Sequence, residues 1–297
     1  MFKDNPNFAP EYSRTEEGWV LFPSDSSYRK RMFPQDVSEH IAKANIFLVQ
    51  SIVEYVSKPG EYLLDPMSGT GTLMVAALVS RDVMLIEISP KYHEWQKQAL
   101  KFLDEHVAPG IGAHVSLINL PLQLILPIPE SVDHIIFSPP YAGIMKTKGK
   151  DKLTRETMGD SAGEYTYSHP LNLGTMNDWL WVQEMAKVYR KCFDTLKPGG
   201  TLTLIVKDHY EKQKSGIRER IQLSKGAHNA CIMAGFQHKE WLKWKAPGSV
   251  YSSIYRSRGW EVVDDEDILI LQKPGLVTLD EFAQWSEKSM ILQPVPA

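Results

Sequence analysis

Cysteine is nearly missing from this chain of 297 residues, which has two, Cys192 and Cys231. They form no metal-binding spacing and cannot supply a disulfide framework, so both read as buried thiols of a protein in a reducing cytosol. No apolar run approaches the roughly 20 residues that span a bilayer, so no membrane association is expected. The start, Met1-Phe2-Lys3-Asp4-Asn5, lacks the charged-then-apolar layout of a secretory leader. An excess of charge of one sign is missing too. Lys and Arg number 33 against 36 Asp and Glu, a formal net charge of −3. No global basic field therefore attracts a polyanion, and any nucleic-acid site must be local. Internal repeats and long linkers are also absent. What is present is ample for a core: 43% hydrophobic residues, eight of them tryptophan. The expectation is one α/β domain over 1–297, with an N-terminal extension at 1–37 and insertions at 142–176 and 246–267.

The chain is organised around Leu63-Leu64-Asp65-Pro66-Met67-Ser68-Gly69-Thr70-Gly71-Thr72. A β-type apolar run ends in an acid, a glycine-rich turn follows, and a helical run continues from Leu73 to Val79. Glycines remove Cβ atoms where a ligand must pass, and the next helix offers its free N–H groups. Val83 to Glu87 reads as a second buried strand ending in an acid, roughly 20 residues beyond the loop, where such folds bind ribose hydroxyls. The ordered set points to a nucleoside-containing cofactor; a tight turn in an ordinary α/β domain is the alternative.

Around this centre the periodicity predicts further elements. Residues 1–37 show no clear period, and Arg29-Lys30-Arg31 reads as a solvated loop, with phosphate contact as the alternative. Ile46, Val49, Ile52, Val53 and Val56 have helical spacing. Ser89-Pro90 starts a helix that runs to about His106, with His93 and His106 on its surface. Strands are predicted at His114–Ile118, Val132–Phe137, Thr201–Val206, Gln237–Lys245 and Ile268–Leu271. Helices are predicted after the Asn177 cap to Leu196, over Ala227–Phe236 and over Leu279–Met290. Lys207–Lys225 reads as a loop or an exposed helix, and Ala246–Asp267 as an irregular loop. The count is seven strands interleaved with helices, the last pair antiparallel: a Rossmann-like sheet with helices on both faces.

The strand Val132–Phe137 stops in Ser138-Pro139-Pro140-Tyr141. Each proline fixes φ and lacks an N–H, so the Ser138 and Pro139 carbonyls sit in a rigid bend. With the Ser138 hydroxyl they can accept hydrogen bonds from an exocyclic amine, and Tyr141 can stack on a planar base. A stiff corner with a core tyrosine is the other reading. Cationic residues cluster where loops leave the strand ends: Lys146, Lys148, Lys150, Lys152 and Arg155; Lys212, Lys214, Arg218 and Arg220; Arg256 and Arg258. Their shared placement suggests phosphate contact, although each run alone is a solvated face.

The glycine loop and the Ser-Pro-Pro-Tyr corner together resemble the S-adenosylmethionine-dependent DNA amino-methyltransferases, which modify cytosine N4 or adenine N6. The serine form looks most like the cytosine enzymes. The resemblance covers roughly residues 33–273. It implies that Lys43, Asn45, Asp65, Pro66, Ser68, Gly69, Gly71, Thr72, Glu87 and Asn119 hold S-adenosylmethionine, with Glu87 on the ribose. It also implies that Ser138, Pro139, Pro140 and Tyr141 hold a flipped base of DNA. Met67 stands where the family has Phe, and Asn119 where it has an acid. Adenine N6 methylation, RNA or protein-glutamine methylation, and a non-catalytic module of the same fold are the alternatives. Neither cysteine lies in a Pro-Cys context, which argues against carbon-5 methylation.

Overall fold

The computed structural model describes residues 2–33, 44–140, 169–212, 218–246 and 250–276. Lys43, Tyr141, the lysine run Lys146 to Lys152, Arg155, Lys214 and the expected Leu279–Met290 helix lie outside them.

In chain order come α1 (Ser26–Met32), α2 (Ile46–Val56), β1 (Tyr62–Asp65), a 3-10 helix (Thr72–Val79) and β2 (Asp82–Ile86). Next are α3 (Pro90–His106), β3 (Val115–Ile118), the short α4 (Leu122–Ile125), β4 (Val132–Phe137), α5 (Asp178–Thr195) and β5 (Leu196–Val206). The chain continues with β6 (His209–Lys212), β7 (Arg218–Ile221), α6 (Leu223–Met233), β8 (Gln237–Lys245), α7 (Val250–Ser257) and β9 (Asp265–Gln272).

Seven strands form one sheet in the order β3-β2-β1-β4-β5-β9-β8. Neighbours from β3 to β5 are parallel, and β9 runs antiparallel to both β5 and β8. Strand order therefore reverses beside β1: β2 and β3 lie to one side of it, β4 and β5 to the other. Side chains alternate between two apolar layers, as the pleat requires. Leu63, Leu85, Ile136 and Ile268 join the layer that holds α2 and the 3-10 helix. Leu64, Ile86, Phe137 and Leu269 join the layer of α5 and α6. The helix starts follow their caps. Asn45, Ser89 and Asn177 each accept a backbone N–H from the first turn of the helix that follows.

The run after the glycine loop is helical as expected, in the 3-10 form, and lies between left-handed Gly71 and Ser80. Three expectations need correction. Within Lys207–Lys225, His209–Lys212 and Arg218–Ile221 pair as the antiparallel β6–β7 hairpin, and α6 begins at Leu223. Ala246–Asp267 is not irregular throughout, since α7 lies within it. Arg29 is not solvated: it is 1% exposed.

The N-terminal extension has a place in the sheet. Val20 exchanges backbone hydrogen bonds with Lys243 and Lys245 along β8, shielding part of an edge that would otherwise template another chain. At the β4–β5 pairing the backbones approach closely at Gly200, where an added Cβ would lie 2.5 Å from the Asp133 carbonyl oxygen. Gly200→Ala should therefore destabilise the fold by about 1–3 kcal/mol, measured by urea unfolding, because the obstacle is backbone and cannot rotate away.

Candidate active site

The reversal of strand order puts the C-terminal ends of β1 and β4 side by side, the position where open α/β sheets bind ligands. A cleft of about 70 Å³ opens there, lined among others by Ala44, Asp65, Met67, Ser68, Gly69, Thr72, Phe137 and Ser138. The glycine loop and the proline corner, more than 60 residues apart in sequence, thus share one cavity.

The loop is held from several directions. Ser68 N–H donates to the Ile86 carbonyl at 3.1 Å, and its hydroxyl donates to the same oxygen at 3.0 Å. The Glu87 carboxylate accepts the Gly69 N–H at 2.8 Å and the Ser89 N–H at 2.7 Å. Gln96, fully buried on α3, donates to the Ser68 hydroxyl at 2.8 Å and the Gly69 carbonyl at 2.7 Å. Gly71 has φ +80°, and a Cβ there would lie 3.1 Å from Gln96 Cγ. Gly69 also has positive φ, but a Cβ on it would project into open space. One glycine serves packing, and the other keeps the cleft open.

Other residues of the expected cofactor set serve this architecture. Asn119 donates to the Glu87 carbonyl at 2.8 Å, tying β3 to the end of β2. Asn45 caps α2 and donates to the Pro23 carbonyl at 2.9 Å. Pro66, next to Asp65 in the chain, is buried. Thr72 accepts from Arg29 at 3.4 Å, and Arg29 also donates to the Ala44 carbonyl at 2.6 Å while pairing with Asp25 at 2.7 Å. Asp25 in turn accepts the Ile46 N–H at 3.0 Å. Sequence reasoning missed Arg29, Gln96 and Trp181. Only the buried arginine left a sequence signal, an Arg four residues after an Asp, and surface ion pairs share that spacing.

At the corner, Ser138 is exposed and Pro139 buried. The Pro140 carbonyl accepts the indole N–H of Trp181 at 2.7 Å, so α5 fixes the bend. Among the described residues no hydrogen bond occupies the Ser138 or Pro139 carbonyl. The late-loop cations are committed differently. Arg256 pairs with Asp264, and Arg220 with Asp208 at 3.1 Å. The Arg218 and Arg258 guanidiniums lie over aromatic rings.

Two acids dominate the electrostatics. Burial pushes Asp65 up to about 8, with the Glu87 charge adding to it and the Met67 N–H opposing. Burial likewise pushes Glu87 up to about 7, against its backbone N–H partners. Among the described residues no lysine or arginine pairs with Asp65. A half-buried carboxyl on the cleft lining, with no cation paired to it among the described residues, is the complement of a cationic ligand.

The family profile for DNA methylases matches residues 8–99 and 132–289. The chain belongs to the DNA methylase family. No curated protein sequence matches it. Among solved structures it is similar to TrmN from Thermus thermophilus, at 15% identity and TM-score 0.45, covering 77% of this chain and 49% of that one. It is also similar to a SAM-dependent methyltransferase from Methanosarcina mazei (12%, TM-score 0.46, 76% and 98%). A methyltransferase from Pyrococcus furiosus gives 15%, TM-score 0.46, and coverage of 84% and 94%.

The methyl donor of this family, S-adenosylmethionine, carries a sulfonium and an ammonium charge. The uncompensated Asp65 and the open face of Gly69 fit such a ligand. Among the described residues no helix is long and apolar enough to cross a membrane.

Two outcomes follow. Gly71→Val should force Gln96 and Leu85 aside and weaken S-adenosylmethionine binding at least 10-fold by calorimetry, whereas Gly69→Ala, facing open space but at φ +51°, should cost less. The raised acids also set a pH dependence. Their folded pKa values exceed the unfolded ones of about 4, so the native state binds more protons between about pH 4 and 8, and stability falls as pH rises through that window. A cation docking at Asp65 favours its carboxylate, so cofactor binding near neutral pH should release a proton. Calorimetry in buffers of different ionisation enthalpy reads this directly, and a binding heat independent of buffer would contradict it.

Proposed function

We propose that this DNA methylase transfers a methyl group to the exocyclic amine of a DNA base, with cytosine N4 as the target rather than adenine N6. The observation that carries the reading is the corner itself: an exposed Ser138, and Ser138 and Pro139 carbonyls with no hydrogen-bond donor among the described residues, beside a cleft that suits a cationic methyl donor.

Bound S-adenosylmethionine supplies an electrophilic methyl group on its sulfonium. The corner's task is to prepare the nucleophile. An aryl-like amine delocalises its lone pair into the ring and attacks poorly. Hydrogen bonds from the amine to the Ser138 hydroxyl and the Pro139 carbonyl draw the nitrogen towards a tetrahedral shape and free that lone pair. Positive charge then develops on nitrogen, and the same oxygens are oriented to stabilise it. Trp181 holds the Pro140 carbonyl, so the bend does not have to reorganise when the base arrives. Asp65 would face the cationic half of the donor, and Glu87 would retain acceptor capacity for its ribose hydroxyls while anchoring the loop. Ser138 is solvent-exposed, so water can take the proton that the amine sheds. Tyr141, next in sequence, supplies the stacking face for the flipped base.

A hydroxyl is a weaker acceptor than the carboxylate typical of adenine enzymes, and that difference supports cytosine. Digestion of methylated DNA to nucleosides followed by mass spectrometry should give N4-methylcytosine as the main product. N6-methyladenine alone would replace the cytosine assignment and keep the reaction type. Ser138→Ala should lower kcat on the order of 100-fold while leaving cofactor affinity intact. Full activity in that variant would remove the corner from the mechanism.

A further inference from the structure

Where the chain leaves β5, one strand over from the catalytic corner, it builds a second structure that the reaction does not use. Phe137 of β4 pairs with Leu204 of β5, and two residues later β5 ends at Val206 opposite Asp267 of β9. The β6–β7 hairpin and the segment after α7 therefore emerge at the active-site edge of the sheet. The hairpin is firmly based. Asp208, 4% exposed, accepts the Ser224 N–H at 3.1 Å and hydroxyl at 2.9 Å with one oxygen and the Arg220 Nε–H at 3.1 Å with the other.

On this base Arg218 acts as a staple. Its guanidinium lies 5.4 Å from the Tyr210 ring centroid and 5.1 Å from those of Tyr255 and Trp260, and it donates to the Glu261 carbonyl at 3.1 Å. Tyr255 and Trp260 sit 5.4 Å apart with their planes tilted by 32°. A cation held among three rings has little left to offer a phosphate. The neighbouring cations are also matched, Arg256 by Asp264 and Arg220 by Asp208 and Asp265. What the cluster does present outward is an aromatic surface: Trp260 is 43% exposed, with the exposed Arg258 guanidinium 5.8 Å from its ring. A large indole fixed by a staple, in locally balanced charge, suits a flat partner better than an anion.

We propose that Trp260 is a stacking site for an unpaired nucleobase of the DNA substrate, separate from the pocket that takes the target base. The inference rests on the DNA reading above. Extruding a target base exposes the faces of its neighbours and of the orphaned partner, and an aromatic platform at the same edge compensates their lost stacking.

The test compares two fluorescent single strands by anisotropy, an oligothymidylate and the same backbone carrying abasic sugars. Trp260→Ala should weaken oligothymidylate binding on the order of 10-fold, leave abasic-strand binding unchanged, and leave the salt slope of binding unchanged. Trp260→Phe should restore most of the loss, which separates a stacking role from a folding defect. An equal loss on both strands, a reduced salt slope or no loss at all would overturn the proposal. Transfer of tritiated methyl groups to duplex DNA by the wild-type protein is measured alongside. If transfer proceeds and Trp260→Ala binds normally, only the stacking site falls; if the wild type neither binds nor methylates DNA, the functional reading falls and this inference with it.

Discussion

The structure around the cleft depends on one electrostatic constraint: two carboxyl groups end adjacent parallel strands, and among the described residues neither pairs with a lysine or arginine. Asp65 closes β1, Glu87 follows β2, burial raises the cost of ionising both, and the Glu87 charge adds to that of Asp65. Glu87 meets the constraint with backbone. Its two oxygens take the N–H groups of Gly69 and Ser89, so one acid both finds donors and fixes where the glycine loop turns. Among the described residues Asp65 accepts the Met67 N–H alone, at 2.9 Å, and it lines the cleft. The asymmetry separates the roles: one acid holds the loop, and the other is left for a ligand's positive charge.

That division explains why the glycine loop needs support from behind. A turn with two left-handed glycines is conformationally loose in isolation. Gln96 reaches it from α3 and Arg29 reaches Thr72 from α1, so two separate helices clamp the same few residues. The corner is treated alike. Prolines alone restrict φ at two positions, yet the bend is set by Trp181 on α5, whose indole N–H reaches the Pro140 carbonyl. Both halves of the site thus combine locally stiff or permissive backbone with one distant side chain that selects a single arrangement.

Much of this was legible in the sequence because it is local. The acid-ended strands, the Asn45, Ser89 and Asn177 caps, and the Pro-Pro bend announce themselves within a few residues. So does the alternation that splits Leu63 from Leu64 between the two core layers. The illegible part is long-range. Arg29 sits among Lys30 and Arg31 and reads as a solvated cluster; only the fold brings Asp25, Ala44 and Thr72 around it. Gln96 is one polar residue on an amphipathic helix, and nothing in its neighbours predicts full burial. The β6–β7 hairpin failed for another reason. It has no apolar face to show period two, being held by Asp208 and by cation–aromatic contacts instead of a core.

The N-terminal extension gains a function from the same contacts. It follows the β8 edge through Val20, then turns into α1, where Arg29 grips both the entrance to α2 at Ala44 and the first residue after the glycine turn. Ala44 and Thr72 both line the cleft. Displacing α1 would carry the Arg29–Asp25 pair away with it and leave the Ala44 carbonyl, the Thr72 hydroxyl and the Ile46 N–H without their partners. The extension therefore supports the cleft's wall, and the framework of the candidate site begins well before the first strand of the sheet.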